Sequence, residues 1–403
     1  MMNFTPVMKP HRAAFALFAS GFRPFFLLTG LAAVVNMLVW LAVYASPDLW
    51  PEGDIPAIYW HAHEMLFGFV SAAVGGFLLT ASPNWTGRPP FSGPVLYLLV
   101  FAWLAGRLAM APLSLFSAAT RAILDLSFYP LLAIALAPAL IRAGKWRNMA
   151  FLLLLVAMFG CNLTFHLGVS GAVTAGEHIG LAMVTDFVIL MAAVIGGRIL
   201  PYFTRNALAQ SGTEILIEPD PWIERLSLLS IFAMLVADAT MPLTPLSGGI
   251  ALFAGLMHVF RMGQWHGHRT LGMPLLWILH LGYGWLTLGL LLKGVWLLFA
   301  LPLAENWLHA FTAGAFATMI LAVMSRASLG HSGRPLVASN AIVVAYIIVT
   351  LAAAIRVFLP VILPEHYEAA IVVAGLLWSL AFAIFLGVYV PIFLRPRPDG
   401  KPG

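Results

Sequence analysis

Charged residues are scarce in this chain. Only 9% of its 403 residues are Asp, Glu, Lys or Arg, whereas 61% are hydrophobic. A soluble domain carries about a quarter charged residues, so this composition excludes an ordinary soluble protein. The apolar residues fall into blocks of about twenty, which is the length of helix that crosses the hydrocarbon core of a bilayer. The composition therefore predicts an integral membrane protein.

Cysteine is almost absent as well. The single one, Cys161, lies inside an apolar block, so no intramolecular disulfide can form. No Cys-x-x-Cys-His motif is present, so any haem would be held without covalent attachment, as haem b is. The 21 Lys and Arg residues are scattered rather than clustered. This distribution argues against a nucleic-acid partner and fits contact with a lipid bilayer.

Twelve membrane spans are predicted from the apolar blocks. They form an all-α bundle without a second domain: a cytoplasmic or interfacial N-terminal segment (1–23), one transmembrane domain (24–394) and a cytoplasmic tail (395–403). The predicted spans cover residues 24–46, 58–82, 92–110, 117–141, 147–168, 177–200, 222–240, 247–261, 273–297, 304–325, 338–359 and 368–393.

The positions of Lys and Arg predict the orientation of the bundle. These residues are enriched in the cytoplasmic loops of membrane proteins. With twelve spans, all but four of the 21 fall toward one side, which is also the side of both termini. We therefore expect both termini of an inner-membrane protein to be cytoplasmic. The four exceptions are Arg107, Arg121, Lys293 and Arg356.

An internal repeat relates the second and tenth spans. In each, a histidine is followed by 23 residues and then by Gly-Arg-Pro. His63 precedes Gly87-Arg88-Pro89 in this way, and His309 precedes Gly333-Arg334-Pro335. The alternative is coincidence between two apolar sequences that share a common loop tripeptide.

The sixth span offers a looser third copy. His178 opens this span, and Gly196-Gly197 echoes Gly75-Gly76 of the second span. Because the second, sixth and tenth spans are four apart, the pattern predicts three four-helix units with pseudo-threefold symmetry.

Histidines within the spans fall into two layers. Ligating side chains inside a membrane are costly unless they face the bundle interior, so they are functional candidates. Neutral imidazole binds haem iron and copper without burying a net charge. The alternative for each histidine is a structural hydrogen bond to a neighbouring helix. The outer layer contains His61, His63, His166, His178 and His309, and a second site on the cytoplasmic side would contain His258, His280 and His331.

His61 and His63 are expected to point in different directions. Two residues along an α-helix correspond to a rotation of about 200°. The two imidazoles should therefore not bind one metal ion together. They serve two centres, or one binds a metal while the other faces a neighbouring helix.

Three further charged residues are candidates for supporting roles. Arg107 and Arg121 flank an outer loop, where a guanidinium could bind haem propionates or lipid headgroups. Asp186 lies two turns below His178, where it could relay protons to a metal centre or pair with an arginine.

Several sequence strings resemble those of the NnrS family of bacterial membrane proteins. The strings are FRPFF (22–26), WHAHEMLFGF (60–69), GFLLTASPNWTGR (76–88), GGRILPYFTRNAL (196–208), PLLWILHLGYGWL (274–286) and LHAFTAGAFATMILAVMSRASLGHSGRPL (308–336). The resemblance covers nearly the whole chain. It implies a twelve-span protein of the bacterial cytoplasmic membrane that contains haem and copper and is linked to denitrification and nitric oxide tolerance.

A looser similarity is to the catalytic subunit of haem–copper oxidases and nitric oxide reductases. That subunit also has twelve helices in three arcs, with histidines on the second, sixth and tenth. The present chain lacks the adjacent His-His pair of the oxidase copper site, and its tenth span has one histidine instead of two. These departures argue against dioxygen reduction.

The leading functional hypothesis is a haem- and copper-binding membrane protein that binds nitric oxide and protects against nitrosative stress. One alternative is an oxidoreductase that reduces nitric oxide with electrons from quinol or another donor. Another is a transporter of a metal or small anion. Transporters more often show inverted repeats, whereas the units predicted here share one orientation.

Overall fold

A computed structural model describes residues 16–51, 53–113, 115–144, 146–212 and 217–401. All regular elements in this part of the chain are helices. Most of the predicted N-terminal segment, with Lys9 and His11, lies outside the described residues, and so do the last two residues of the predicted tail.

The long helices follow the twelve predicted spans. Ser127 interrupts the fourth, and the tenth and twelfth begin with a 3-10 turn. We label them α1 (Phe22–Ala45), α2 (Ala57–Thr86), α3 (Pro94–Met110), α4 (Ala118–Arg142), α5 (Trp146–Val169), α6 (Gly176–Gln210), α7 (Pro221–Thr240), α8 (Pro245–Gly263), α9 (Pro274–Phe299), α10 (Pro302–His331), α11 (Asn340–Ile362) and α12 (Pro364–Leu394).

Ten of these helices are long and apolar enough to cross a membrane. This finding confirms an all-α integral membrane protein. The other two are α3, which has 17 residues, and α7, which carries Glu224, Arg225 and Asp238 among its 20 residues. Both are helical where the sequence predicts a span. The orientation of the bundle stays a prediction from the Lys and Arg distribution.

Large apolar side chains cover the outside of the bundle. Phe101 is 69% exposed, Ile134 68% and Leu153 74%, each in the middle of its helix. A continuous apolar surface of this kind is rare on soluble monomers, because water opposes its exposure. We therefore expect this surface to contact lipid.

The first and last helices of the chain pack together and close the bundle. Arg23, in the first turn of α1, is buried and donates hydrogen bonds to the carbonyls of Ile392, Phe393 and Arg395 at 3.2, 3.0 and 2.8 Å. The last carbonyls of a helix lack partners within the helix, and they form the negative end of its dipole. The guanidinium therefore stabilises the end of α12.

Small residues let α5 and α6 cross at close range. A Cβ atom added at Gly176 would lie 2.6 Å from the Thr164 carbonyl oxygen, and one at Gly180 would lie 2.4 Å from that of Cys161. Small residues four apart are typical of close helix pairs in membranes. This crossing fixes the part of α5 that carries His166.

Gly180→Ala is expected to lower the free energy of unfolding by about 1–3 kcal/mol, because the added methyl group meets backbone atoms that cannot move independently. Gly160→Ala is the matched control on α5, since an added Cβ there meets nothing within 4 Å. Thermal unfolding in detergent would measure both. Equal transition temperatures for the two variants would contradict the close crossing.

Two π-helical segments interrupt α2 and α10 at equivalent points of the repeat. Glu64–Val70 directly follows His63, and Ala310–Phe316 directly follows His309. One offset, 246 residues, relates the histidines, the π segments and the Gly-Arg-Pro tripeptides. The repeat between the second and tenth spans therefore extends to a rare backbone feature that is frequent at functional sites.

The third copy of the repeat lacks this feature. Helix α6 is continuous α-helix from Gly176 to Gln210. It nevertheless lines an apolar cavity together with α2 and α10. The three spans thus meet, as the predicted symmetry requires, but only two carry the π segment.

Candidate metal site

Three buried side chains with metal-ligating atoms meet near the start of α2. His63, Asp125 and His166 come from α2, α4 and α5, and their ligand atoms all lie within 4.8 Å of one another. Within the described ranges, this is the only such set of three or more His, Cys, Asp or Glu side chains. We call it the His–Asp–His group.

One carboxylate oxygen is at the centre of this group. Asp125 Oδ2 lies 3.1 Å from His63 Nε2 and 2.9 Å from His166 Nε2. The side-chain amide of Asn162 donates to the same oxygen at 2.8 Å, and its own oxygen lies 3.0 Å from His63 Nε2. One acid of α4 therefore holds residues from two other helices, α2 and α5.

Arg107 of α3 links two acids at the edge of the group. Its guanidinium lies 2.5 Å from Glu64 Oε1, and it also donates to Asp125 Oδ1. Glu64 Oε1 in turn lies 3.1 Å from His63 Nδ1. Both ring nitrogens of His63 thus have polar partners, and these fix the plane of its imidazole.

The π segment after His63 depends on side chains from neighbouring helices. A π segment changes the normal i→i−4 pattern, and freed carbonyls inside a membrane protein need other donors. Trp103 Nε1 of α3 donates to the Gly68 carbonyl at 3.2 Å, and Asn36 Nδ2 of α1 donates to the Glu64 carbonyl at 3.3 Å. These contacts hold Glu64 beside the His–Asp–His group.

A second place in the bundle contains His61 and His309, which we call the histidine pair. As the helical rotation predicts, His61 lies in different surroundings from His63, and it stacks on Trp40 with ring centroids 4.4 Å apart. The two imidazoles are close enough for their charges to interact, and Arg356 of α11 is within the same range of both. Nδ1 of His61 is buried and has no hydrogen-bond partner among the described residues.

The structure does not bring His178 to either place. This residue is exposed in the first turn of α6. Its depth in the bundle was predictable, but the face of the helix on which it lies was not. The five outer histidines therefore do not converge: two belong to the His–Asp–His group, two form the histidine pair and one is apart.

The three histidines predicted to form a second site near the opposite end of the bundle have separate partners. His258 is bonded at both ring nitrogens, since Tyr283 Oη lies 2.7 Å from Nδ1 and the Ser227 carbonyl oxygen lies 3.1 Å from Nε2. Such a ring is already satisfied by protein atoms, and this favours a structural role.

The other two histidines of that layer lie elsewhere. His280 Nε2 is 2.9 Å from the hydroxyl of Thr204. His331 packs on Phe22 of α1, with ring centroids 5.9 Å apart. The structure therefore does not gather these residues into a common group, because their helices direct them toward different neighbours.

The charged residues predicted to support a metal centre also have protein partners. Arg107 pairs with the two acids described above, and Arg121 pairs with Asp54, so the structure engages both arginines with carboxylates. Among the described residues, no ion pair joins Asp186 to an arginine. Its carboxyl group lies within electrostatic range of Asp238, which forms an ion pair with Lys293 of α9.

Sequence reasoning missed two members of the site. Asp125 is the only acid in α4, and an acid inside a predicted span requires a partner. This signal could have identified it as a candidate. Asn162 gave no comparable signal, since neutral amides are common in helices, and its role became visible only when α4 and α5 were packed together.

The family model described as NnrS protein matches residues 16–397, which is nearly the whole chain. The match includes every member of the His–Asp–His group and of the histidine pair. No curated protein matches the chain.

Proposed function

The chain belongs to the NnrS family, which fits a multi-pass membrane protein of the nitric-oxide response, and from this premise we propose that it binds a transition-metal ion at the His–Asp–His group and handles nitric oxide there. The observation that carries the proposal is the buried set of two imidazoles and one carboxylate within 4.8 Å of one another. The bound ion would supply an open coordination position for a small ligand.

The donor atoms fit a first-row divalent ion. Two imidazoles and a carboxylate suit copper(II), and they suit iron(II) as well. Metal–ligand bonds of about 2.0–2.2 Å at tetrahedral angles separate neighbouring ligand atoms by about 3.3 Å. Asp125 Oδ2 is 3.1 and 2.9 Å from the two histidine nitrogens. An ion therefore requires shifts of a few tenths of an ångström between the carboxylate and each imidazole, and it would also set the separation of the two imidazole nitrogens, which lie within 4.8 Å of each other. We propose copper, the metal that the family resemblance implies.

The charges around the group also favour a cation. When Glu64 and Asp125 are both ionised, their two negative charges face the single positive charge of Arg107. Unbalanced charge inside a protein is costly. A metal ion between the imidazoles, or a proton on one of them, would balance the remaining negative charge.

Tyr129 is placed to interact with a small ligand in the group. Its side chain is buried, and its hydroxyl has no hydrogen-bond partner in the described part of the chain. It lies within electrostatic range of Arg107 and Asp125. A buried hydroxyl normally finds a partner, so we propose that it donates a hydrogen bond to a molecule bound there.

Haem b is proposed at the histidine pair. His61 has a buried ring nitrogen that no group among the described residues contacts by a hydrogen bond, which is the atom that an axial ligand needs. Arg356 lies close enough to interact with a propionate in the same region. Loss of haem from a His61→Ala variant, with retention in His178→Ala, would support this assignment. Equal haem content in both variants would exclude it.

The function is tested by the metal content and the electron paramagnetic resonance spectrum of the purified protein, with and without nitric oxide. We expect the wild-type protein to contain copper whose signal changes when nitric oxide is added. His166→Gln is expected to lower the copper content about tenfold or more, because it removes a ligand. His178→Gln makes the same change at an exposed histidine near the same end of the bundle, and should have no effect. Wild-type copper content in His166→Gln, or a signal that nitric oxide leaves unchanged, would contradict the proposal.

A further inference from the structure

An apolar cavity of about 80 Å³ lies between α2, α6 and α10. All fourteen residues that line it are Phe, Val, Ala, Ile or Met. Their side chains have no hydrogen-bond donor, and the methionine sulfurs are only weak acceptors. A buried water needs about two to four polar partners, whereas apolar cavities stay dry. This cavity is therefore suited to an apolar occupant.

The lining positions recur along the chain. Each of the three helices contributes residues at i, i+3, i+4 and i+7, which form one helical face. The sets are 70, 73, 74 and 77 in α2, 188, 191, 192 and 195 in α6, and 316, 319, 320 and 323 in α10. The cavity therefore lies where the axis of the predicted threefold symmetry would run.

One of the two offsets between these sets agrees with the sequence repeat and the other does not. The α2 and α10 sets are 246 residues apart, as are His63 and His309. The α6 set follows the α2 set by 118 residues, whereas the Gly-Gly echo in the sequence predicts 121. The third copy is thus displaced by about one helical turn from the sequence-based alignment.

The cavity begins where the two π segments end. Val70 and Phe316 are the last residues of the segments that follow His63 and His309. Both are buried, and so is the equivalent residue of α6, Val188. The i+7 residues at the opposite end, which are Phe77, Ile195 and Val323, are only half-buried. The cavity is therefore more accessible at the end that lies away from the histidines.

We propose that this cavity binds a small apolar molecule of diatomic size. A cavity of about 150 Å³ with a similar apolar lining binds benzene or xenon. With about half that volume, the present cavity is too small for an aromatic ring but admits a single atom or a diatomic molecule. The identification of the occupant as nitric oxide rests on the proposed function, since the cavity would hold the ligand one π segment away from both histidine sites.

Xenon binding tests the cavity independently of the proposed metal site. We expect xenon to bind the purified wild-type protein saturably, as measured by ¹²⁹Xe nuclear magnetic resonance in detergent. Ala192→Leu places a larger side chain in the cavity and should weaken xenon binding about tenfold or more. Ala182→Leu adds the same side chain at an exposed position of α6, and should bind xenon like the wild type. Ala73→Leu fills the cavity from α2 and provides the same test if Ala192→Leu does not fold.

The outcomes separate this inference from the proposed function. Equal xenon binding in Ala182→Leu and the cavity-filling variants would overturn the cavity site. Xenon binding that is lost in Ala192→Leu but retained in His166→Gln would establish the cavity even if no metal is found. If the metal binds nitric oxide, Ala192→Leu should slow this reaction severalfold at unchanged metal content. An unchanged rate would overturn nitric oxide as the occupant.

Discussion

Replacement of Arg107 with Met is expected to lower the free energy of unfolding by about 3–5 kcal/mol. The variant keeps much of the side-chain volume but removes the one positive charge between Glu64 and Asp125, whose side chains are 3% and 0% exposed. In the metal-free protein, two buried acids would then face each other without the arginine between them. Denaturant unfolding of the purified protein in detergent would measure the loss.

Arg121→Met is the matched control for this prediction. Arg121 also pairs with an acid, but the side chain of its partner, Asp54, is 41% exposed. Exposed ion pairs contribute only about 0–1 kcal/mol, since water solvates the acid when the arginine is removed. Adding Glu64→Gln to Arg107→Met should restore part of the stability. Equal losses for Arg107→Met and Arg121→Met would show that the acids are not held in a low-dielectric interior.

Lys293→Met is expected to have an effect of similar size, about 3–5 kcal/mol, at a different point of the bundle. Lys293 is 2% exposed and forms an ion pair with Asp238, and Asp186 lies within electrostatic range of both. Removing the ammonium group leaves these two acids without a cation. Denaturant unfolding in detergent is again the measurement.

A second substitution separates charge from packing at this position. Asp238→Asn removes the acid that pairs directly with Lys293, so the double variant retains only Asp186 of the two acids near the lost ammonium group. We expect it to recover most of the stability that Lys293→Met loses. A double variant less stable than Lys293→Met would mean that the packing of the lysine stem, and not its charge, holds α7 and α9 together.

The helices were largely predictable from the sequence, because hydrocarbon imposes a length and a composition on each span. This is clear at α7, where a span was predicted although Glu224, Arg225 and Asp238 interrupt the apolar block. The repeat of His63 and His309 was also visible in the sequence. The π segments after these histidines were not, because an extra residue in a helical turn leaves no mark in the hydropathy pattern.

The site was predictable in part. The layer that contains His63 and His166 followed from the position of each residue along its helix. The face on which each histidine lies did not, because spans of nearly uniform hydrophobicity have no polar side to orient them. His178 is exposed for this reason, and Asp125 was missed although it holds the two buried imidazoles together. The depth of a residue in the membrane can be predicted from its position along the span, whereas the rotation of each helix about its axis depends on packing against the other helices.

The central claim is that a metal ion is bound by His63, Asp125 and His166. The most direct measurement is an anomalous difference map, recorded at the copper absorption edge on crystals of the protein purified from copper-supplemented cells. We predict a peak at about 2.0–2.2 Å from Nε2 of His63, Nε2 of His166 and Oδ2 of Asp125. Crystals that show no peak among these three atoms, with their hydrogen bonds intact, would contradict the account.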